Sequence, residues 1–528
     1  MEFDCILQNG KIIDGSGREA YRADVGVRDG RITAIGDLSA CAAARRMDAT
    51  GKVVTPGFLD MHRHADAAVF RTGFGEAELL QGLTGVVNGN CGLSLVPVCG
   101  PFAEATKAYL RPITGALGDC PIEALASYHD ALKRHGLPIH AGMLVGLGTL
   151  RAAAAGFNPT LSDEDYHGIH RLLERELSDG ALGVSLGLGY APECFFDTDG
   201  LIRALAPIAG TGVTLSVHMR SESMNLLSSI DEALALARAL RVRLQISHLK
   251  AVGRTQWGTL VHAALGKIQT ARGDGLDVMC DAYPYTAGST QLLHVLPPEF
   301  LQGGPDAIAA RLMDPQEQKI LQKRLQTGRD FDNYAMLIGW ENIRISSVKN
   351  EADRIYNGKT VPEAAGNAEP WRFVAELLAR NRCAVTMIDR LTDEDDIAAI
   401  YREPFSYVIS DATYPTEGDP HPRVYGAFVH VLERFVRETR VLTLPQAIHK
   451  MTELPADRYG LSKKGRIRIG ADADLLVFAP DRLHERATFD APRACCEGIE
   501  TVLIGGRLAV ENGKATCKQH GTILRRTV

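Results

Sequence analysis

The stretch that decides the fold is Pro56-Gly57-Phe58-Leu59-Asp60-Met61-His62-Arg63-His64. A run of high β propensity, Val53-Val54, leads into it through a Thr-Pro-Gly break, and two histidines close it. Because residues i and i+2 of a strand point to the same side, the imidazoles of His62 and His64 can face one spot. Neutral imidazole is the commonest side-chain ligand for zinc. Such a pair also occurs by chance, so the stretch indicates a metal site only if further ligands follow in matching contexts.

Length and composition set the class of protein. A chain of 528 residues is too long for one hydrophobic core, so one large and one small domain are expected. With 45% hydrophobic and 23% charged residues, the composition is that of an ordinary soluble protein. A formal net charge of -6 gives no basic surface for nucleic acid. No apolar run approaches the roughly 18–20 residues that span a membrane, so we expect no membrane partner.

The cysteines and the N-terminus indicate a compartment. Eleven cysteines are scattered along the chain without C-x-x-C pairs, which is the pattern neither of a disulfide framework nor of a zinc ribbon. The first residues, Met1-Glu2-Phe3-Asp4, carry acids where a signal peptide would carry basic residues. We therefore expect a cytoplasmic protein that begins with a strand.

Both ends of the chain have the pattern of short β-strands. Alternating runs are separated by the turn pairs Asn9-Gly10, Asp29-Gly30 and Gly505-Gly506, which predict hairpins. The runs are Cys5-Ile6-Leu7, Lys11-Ile12-Ile13, Val25-Gly26-Val27, Arg31 to Ile35, Asp474 to Phe478, Thr501 to Ile504 and Arg507 to Val510. Residues 1–55 and 461–528 are therefore expected to build one small β-sandwich domain together.

Residues 56–460 repeat a strand followed by a helix, which favours an α/β fold with a parallel sheet. Closure into a (β/α)8 TIM-like barrel is the economical solution. Helices are predicted at Asp163 to Leu177, Leu226 to Leu240 and Val261 to Ala271. Besides the first strand at Val53, the strand candidates are Val86 to Asn88, Ile139 to Val145, Leu182 to Leu188, Val213 to Met219, Arg243 to Leu249, Leu276 to Tyr283, Ala384 to Ile388 and Tyr407 to Ser410. With the strand at Val53 these are nine candidates, one more than the barrel needs. We assign the extra strand to an insertion at about 286–350 that forms a lid.

Polar residues that close the apolar runs are the candidates for chemistry, because barrel active sites are built at the carboxyl ends of strands. They are His62, His64, Cys91, His218, His248 and Asp411. Each has an ordinary alternative, since a lone histidine or cysteine is usually a packed core residue and a lone aspartate is usually a helix N-cap. Their convergence on one rim predicts a metal site.

The ligand types suggest two positions. Cys91, His218 and His248 supply soft N and S donors and predict a tight Zn²⁺ site. His62, His64 and Asp411 make a second, harder and weaker position. Asp411 can take a proton from an activated water and deliver it to a leaving amine, which is metal-assisted hydrolysis of an amide-like bond.

The chain resembles the amidohydrolase superfamily, and within it the N-acyl-D-amino-acid deacylase (D-aminoacylase) family, over nearly its whole length. The motifs are Gly57 to His64, Gly89-Asn90-Cys91-Gly92, His218 to Glu222, Ile246 to Lys250, Tyr283 to Ala287, Ser410-Asp411, His421 to Gly426 and Gly470 to Leu475. Hydantoinase-like relatives bridge their metals with a modified lysine, and the corresponding stretch here, Val184 to Tyr190, has none.

The resemblance implies a small-molecule substrate, an N-acyl-D-amino acid, that is hydrolysed by metal-activated water with Asp411 as general base and acid. It also implies that Lys250, Tyr283, Ser289 and Arg390 hold the substrate carboxylate, which suits a cation with hydroxyl donors. Arg220 and Glu222 are interpreted as a supporting pair behind the ligands. Leu147 departs from the family, which usually carries a histidine there.

Two other functions compete with this one. A cyclic-amide or isoaspartyl-dipeptide hydrolase would use the same fold, and a binding protein that has lost catalysis would have lost some of the six ligands. The side-chain preference is open. Lys250 would favour an acidic side chain, whereas Leu292, Leu293 and Met336 of the insertion would favour a hydrophobic one.

Overall fold

Eight parallel strands form the centre of the computed structural model, which describes residues 2–116, 118, 120–415, 417–516 and 518–526. We number them in chain order: β1 Phe58–Asp60, β2 Leu83–Asn88, β3 His140–Met143 with Val145–Gly146, β4 Gly183–Gly187, β5 Thr214–His218, β6 Arg243–Ile246, β7 Val278–Ala282 and β8 Ser406–Val408. They are buried almost throughout, which explains their apolar sequences, because parallel strands are covered on both faces.

Each of these strands pairs in parallel with the next one along the chain, from β1 to β8. Just beyond β8, Ala412–Thr413 pairs in parallel with Arg63–His64, just beyond β1. The amide of Asp411 donates to the carbonyl of His62 at 2.9 Å. The end of the series is therefore bonded to its beginning next to the two histidines.

Helices follow most of these strands. The predicted helices lie at Asp163–Ser178, Leu226–Leu240 and Leu260–Gly273, and Ser162 caps the first of them. Among the described residues, no helix is both long and apolar enough to cross a bilayer. Outside the insertion, the other α-helices are Glu76–Leu80, Ala103–Thr114, Leu125–His135, Leu147–Ala155, Thr198–Ala204, Glu394–Arg402, Arg423–His430, Leu444–Met451 and Glu453–Arg458, with a π-helix at Val431–Glu438.

The two chain ends meet in one seven-stranded sheet. Its order is Lys514–Ala515, Arg507–Glu511, Ile499–Ile504, Leu475–Phe478, Val53–Pro56, Lys11–Ile12 and Tyr21–Arg22. A four-stranded sheet of Arg31–Gly36, Asp24–Arg28, Phe3–Gln8 and Ala43–Asp48 packs on it, since one apolar cluster contains Leu7, Val25, Val54 and Leu475. The prediction that the first of the parallel strands lies at Val53 is wrong, because Val53–Pro56 pairs with Leu475–Phe478 in the terminal sheet. The chain passes to β1 at Gly57, where a Cβ would lie 2.2 Å from Thr84 Oγ1.

The turn predictions have mixed outcomes. Asp29-Gly30 and Gly505-Gly506 each join two antiparallel strands, as predicted. The hairpin predicted at Asn9-Gly10 is wrong, because Phe3–Gln8 and Lys11–Ile12 lie in different sheets. Lys11–Ile12 pairs in parallel with Val53–Val54 instead, so the turn carries the chain between the two layers.

An insertion between β7 and β8 forms a separate antiparallel sheet of Ala287–Gln291, Val385–Arg390 and Ile343–Val348. The strand predicted at 384–388 is its central strand, which accounts for the surplus strand. The end predicted at about residue 350 falls inside this unit, because the sheet continues to Arg390. Its α-helices are Gly304–Met313, Pro315–Thr327, Tyr334–Leu337, Val361–Ala365 and Pro370–Arg380.

A buried ion cluster joins the parallel strands to the terminal sheet. Asp474 Oδ2 lies 3.1 Å from His140 Nε2 on β3 and 2.6 Å from Lys464 Nζ. Burial alone would raise the pKa of Asp474, but His140 and Lys464 outweigh it and hold that pKa well below the ordinary value. The carboxylate therefore stabilises the folded state above the unfolded pKa of about 4, and this contribution is lost as the pH falls toward the folded pKa.

We expect Asp474→Asn to lower the free energy of unfolding by about 2–3 kcal/mol at pH 7, because it removes a buried charge that pairs with Lys464, which then keeps Asp472 at 3.0 Å. Urea unfolding followed by circular dichroism measures the change. The exposed Asp490, 3.7 Å from Arg344, is the control, and Asp490→Asn should cost no more than about 0.5 kcal/mol. The difference between wild type and Asp474→Asn should shrink in acid, and an equal difference at pH 7 and pH 3 would contradict the assignment.

Candidate metal centre

The six predicted ligands follow the carboxyl ends of five strands. His62 and His64 come after β1, Cys91 after β2, His248 after β6 and Asp411 after β8, while His218 is the last residue of β5. All six are buried. They divide into two groups whose ligand atoms lie within 4.8 Å of one another: His62, His64, Cys91 and Asp411, and Cys91, His218 and His248. The fold thus brings together residues separated by up to several hundred positions, and Cys91 belongs to both groups.

The distances within the groups are short. Cys91 Sγ lies 3.2 Å from His62 Nε2 and 3.4 Å from His248 Nε2. His218 Nδ1 lies 2.9 Å from His248 Nε2. Asp411 Oδ1 lies 3.3 Å from the Nε2 atoms of both His62 and His64. These separations suit donors that surround one or two cations from several sides.

The protonation states of these groups favour metal binding. Burial is the main cause that lowers the pKa values of His62, His218 and His248 well below the ordinary value, so their imidazoles are neutral. Burial also raises the pKa of the Cys91 thiol well above its usual range. Metal binding requires a thiolate and neutral imidazoles, so a bound cation would supply the charge that favours the Cys91 thiolate. Neutral nitrogens, one sulfur and one carboxylate form a donor set that fits zinc.

Three of the candidate ligands have left-handed backbone conformations, with φ values of 55° at Cys91, 34° at His248 and 53° at Asp411. Non-glycine residues adopt such conformations at a cost of about 1–3 kcal/mol and keep them where the surroundings fix the chain. The amide of His248 donates to Asp281 Oδ1 at 2.6 Å. The fold therefore holds these side chains in a conformation that a free chain would avoid.

Arg423 is a residue whose role the sequence did not reveal, although it lies in a quoted motif. Its side chain is fully buried, its Nη1 lies 3.0 Å from Asp411 Oδ2, and its Nη2 donates to the carbonyl of Ser289 at 3.0 Å. Burial would raise the pKa of Asp411, but Arg423, His64 and His62 outweigh it and hold that pKa well below the ordinary value. Arg423 therefore keeps Asp411 ionised and oriented.

Lys250 and Glu222 form a second buried ion pair beside the ligands. Lys250 Nζ donates to Glu222 Oε1 at 2.7 Å, and the same oxygen lies 2.9 Å from His248 Nδ1. Lys250 Nζ lies 2.9 Å from the same Nδ1 atom, so Lys250 and Glu222 together contact the His248 nitrogen that does not face Cys91. The predicted pairing of Arg220 with Glu222 is wrong, because the guanidinium of Arg220 binds both carboxylate oxygens of Glu232, at 2.8 and 2.9 Å.

A cavity of ≈ 30 Å³ lies between the ligands and the insertion, with room for about two water molecules. Lys250, Tyr283 and Ser289, three of the predicted carboxylate-binding residues, line it. So do Tyr190, Glu222, His294, Tyr334, Asp389 and Leu391. Residues predicted to give the cavity an apolar wall do not line it, since Leu292 and Leu293 are buried elsewhere and Met336 is 39% exposed. Leu147 is fully buried at the start of a helix and does not line it either.

Of the four residues predicted to bind the substrate carboxylate, Arg390 is the one that does not line the cavity. It is the exposed last residue of the strand Val385–Arg390, whereas its neighbours Asp389 and Leu391 line the cavity. Successive side chains of a strand point to opposite faces, so Arg390 points away. This placement does not support a role in binding the substrate carboxylate.

The insertion is fastened to the loop that carries Glu222. Asp332 accepts hydrogen bonds from Ser221 Oγ at 2.6 Å, from the amide of Glu222 at 2.8 Å and from Ser223 Oγ. A residue of the insertion thus fixes the loop whose Glu222 contacts His248. Hydrogen bonds therefore connect the insertion, which forms part of the cavity wall, to the loop behind the candidate ligands.

Replacing Arg423 and Arg390 should have very different effects on catalysis. We expect Arg423→Met to lower kcat/KM by roughly 10–100-fold, as for residues that support a ligand. It should also move the acidic limb of the pH profile to higher pH, because the pKa of Asp411 rises once the guanidinium is removed. Arg390→Ala should leave kcat/KM within about twofold, as is usual for an exposed site. Steady-state kinetics between pH 5 and 9 measures both effects, and a larger loss in Arg390→Ala would reverse the assignment.

The comparisons with known proteins agree with this geometry. The model of the amidohydrolase family matches residues 367–510. An N-acyl-D-glutamate deacylase of Alcaligenes xylosoxydans xylosoxydans is 36% identical over 531 residues, covering 99% of this chain and 97% of that protein. The crystal structure of N-acyl-D-glutamate deacylase from Bordetella bronchiseptica, with zinc and a phosphonate mimic of the tetrahedral intermediate, gives a TM-score of 0.83 at 31% identity. The match covers 99% of this chain and 100% of that structure's chain. A D-aminoacylase with a binuclear metal centre gives a TM-score of 0.83 at 30% identity, with the same coverage.

These similarities place the chain among the amidohydrolases. More narrowly, the chain belongs to the N-acyl-D-amino-acid deacylase (D-aminoacylase) family. The resemblance predicted from the sequence motifs is confirmed.

Proposed function

We propose that the protein is a zinc-dependent amidohydrolase that cleaves the acyl amide bond of N-acyl-D-amino acids to a carboxylate and a free D-amino acid. The observation that carries this proposal is the pair of ligand groups that share Cys91 at one end of the parallel strands. The similarity over the whole chain to N-acyl-D-glutamate deacylase and D-aminoacylase supports the substrate class.

Cys91, His218 and His248 would hold zinc tightly, and His62, His64 and Asp411 would form a weaker second position. The soft sulfur and the two neutral imidazoles favour zinc in the first, and the carboxylate makes the second harder. When bound, zinc supplies Lewis acidity that polarises the acyl carbonyl and activates water. The chain itself contributes the orientation of these donors, through Glu222 behind His248 and Arg423 behind Asp411.

Asp411 is the general base and acid of the proposed reaction. It accepts a proton from the attacking water and returns it to the nitrogen of the leaving amine. Arg423 keeps the carboxylate ionised before the reaction, and the neighbouring imidazoles fix its position. Lys250, Tyr283 and Ser289 hold the free carboxylate of the substrate by a cation and two hydroxyl groups. Burial raises the pKa of Tyr283 well above its usual range, so its hydroxyl remains a donor at neutral pH.

We further propose that residues 56–460 form a closed (β/α)8 barrel and that residues 1–55 and 461–528 form a β-sandwich domain. The parallel pairing from β1 to β8, which passes through the two segments of β3, and the return contact at Ala412–Thr413 support closure. The shared sheet and apolar cluster of the two chain ends support the sandwich. The insertion would act as a lid, because a cavity of ≈ 30 Å³ admits no acylated amino acid unless its wall moves.

The proposed function is tested with zinc-reconstituted protein and a panel of N-acetyl-D-amino acids, their L enantiomers, hydantoins, dihydroorotate and isoaspartyl dipeptides. We expect hydrolysis of at least one D substrate and turnover of its L enantiomer at least tenfold slower. Preferential opening of a cyclic amide, or cleavage of isoaspartyl dipeptides alone, would replace the proposal by the competing amidohydrolase activity. Binding without turnover of any member would favour the binding protein.

A further inference from the structure

Asp389 is a buried carboxylate that the proposed reaction does not use. It lies on the insertion strand Val385–Arg390, its side chain lines the cavity beside the ligands, and it is 1% exposed. Among the residues that the structure describes, neither of its carboxylate oxygens has a hydrogen-bond partner. A buried carboxyl group without a hydrogen-bond partner is costly, and at the cavity wall a bound molecule can supply that partner.

The cations near Asp389 already have carboxylate partners. Lys250 is 2.7 Å from Glu222, and Arg423 is 3.0 Å from Asp411. Burial raises the pKa of Asp389 to about 7, although Lys250 and Arg423 lower it from a distance. Of the acidic side chains that line the cavity, Asp389 is therefore the one without a cation of its own in the part of the chain that the structure describes.

Asp389 also lies next to the groups proposed to bind the substrate carboxylate. A Cβ built on Gly288 would be 3.1 Å from Tyr283 Oη and 3.2 Å from Asp389 Oδ1, so the two oxygens flank one point of the cavity wall. Gly288 is paired in register with Asp389 and precedes Ser289. An amino acid whose α-carboxylate meets Tyr283 and Ser289 therefore lies beside Asp389, with which a cationic group of the same molecule can pair.

The remaining wall suits a cation on an aliphatic stem. The rings of Tyr190 and His294 have centroids 4.9 Å apart, and those of His294 and Tyr334 are 5.2 Å apart. Aromatic faces attract ammonium and guanidinium groups and pack well against methylene stems. Leu391 adds apolar surface on the insertion side of the cavity.

We propose that Asp389 selects N-acyl-D-amino acids with a cationic side chain, such as those of lysine, ornithine and arginine. The inference rests on the proposed function and names its substrate class. Binding such a side chain pairs the buried carboxylate, whereas an acidic side chain would bring a second negative charge beside it. The protein would thus differ in substrate from its glutamate-specific relative while using the same hydrolytic site.

The test measures kcat/KM of the zinc-loaded protein for the N-acetyl derivatives of D-lysine, D-ornithine, D-arginine, D-methionine, D-glutamine and D-glutamate. We expect at least one cationic substrate to exceed D-glutamate by a hundredfold or more and to exceed the two neutral substrates. In Asp389→Asn the ratio of the best cationic substrate to D-methionine should fall at least tenfold, mainly through KM. Because the ratio compares substrates on one preparation, partial misfolding does not change it.

Two further variants control the test. Asp396 is another buried aspartate with an unpartnered oxygen, but it caps the amide of Gly258 outside the cavity. Asp396→Asn should leave the ratio unchanged, and Asp389→Glu should retain a preference for cations. Preference of the wild type for D-methionine, D-glutamine or D-glutamate, or an unchanged ratio in Asp389→Asn, overturns the inference while leaving the deacylase function standing. Absence of turnover with every D substrate overturns both.

Discussion

Replacement of Asp411 by asparagine is expected to lower kcat by about 10³–10⁴-fold with the best D substrate. The amide has nearly the shape of the carboxylate but cannot accept a proton at neutral pH, and general acid–base catalysis is worth roughly 10²–10⁴-fold. The loss of one oxygen donor from the weaker metal position adds to this effect. Arg423 would lose its counter-charge, so some loss of stability is also expected.

The measurement pairs single-substrate kinetics with zinc analysis of the same preparation. Zinc should remain at the Cys91, His218 and His248 group, which separates a chemical defect from metal loss. Asp396→Asn is the matched control, because it removes a buried carboxylate that does not line the cavity and should keep wild-type kcat. Wild-type turnover by Asp411→Asn would exclude Asp411 as the base and shift attention to Glu222 or Asp389, the other carboxylates of the cavity.

The positions of the candidate ligands could be predicted because the sequence shows where strands end. His218 closes β5, and His62, His248 and Asp411 stand two or three positions beyond β1, β6 and β8. A parallel arrangement brings all such positions to one edge, so the grouping follows once the strands are recognised. Cys91, His248 and Asp411 have a left-handed backbone conformation that depends on tertiary contacts. At non-glycine residues no local sequence pattern predicts it.

The strands of the insertion could not be predicted from the sequence in the same way. Its strand at Val385–Arg390 has the same apolar sequence as the parallel strands, and only its antiparallel partners at Ala287–Gln291 and Ile343–Val348 distinguish it. The family resemblance implied that Arg390 binds the substrate carboxylate. Successive side chains of a strand point to opposite faces. Asp389 therefore lines the cavity, and the next residue, Arg390, points away from it.

The ion-pair partners of buried charged residues could not be predicted from the sequence either. Glu222 lies two residues from Arg220, yet it pairs with Lys250 on the next strand's loop, and Arg220 pairs with Glu232 on the following helix. Arg220 and Glu222 lie beyond the end of β5, where the alternation of a strand no longer applies, and the choice of partner depends on which loops the fold brings near. The partner of Arg423 is a second example, since its ion pair with Asp411 joins the two ends of the loop that follows β8.

Cys91→Ser is expected to abolish tight zinc binding and to lower activity at least 100-fold. Cys91 contributes a sulfur to both ligand groups, so its loss weakens both positions at once. A serine hydroxyl keeps the size but is a hard, weakly acidic donor that zinc binds poorly beside two imidazoles. Loss of a residue that merely supports a metal ligand already costs about 10–100-fold in affinity, and loss of a ligand should cost more.

Zinc titration of the metal-free proteins with a competing chelator measures the affinity, and Cys280→Ser provides the matched control. Cys280 is a fully buried cysteine on β7 that belongs to neither ligand group, so its replacement tests the loss of a core thiol without the loss of a donor. The control should bind zinc as the wild type does, although its stability falls slightly. If Cys91→Ser and Cys280→Ser bind zinc equally well, the shared thiolate is not a ligand, and the metals must be held by the histidines and Asp411 alone.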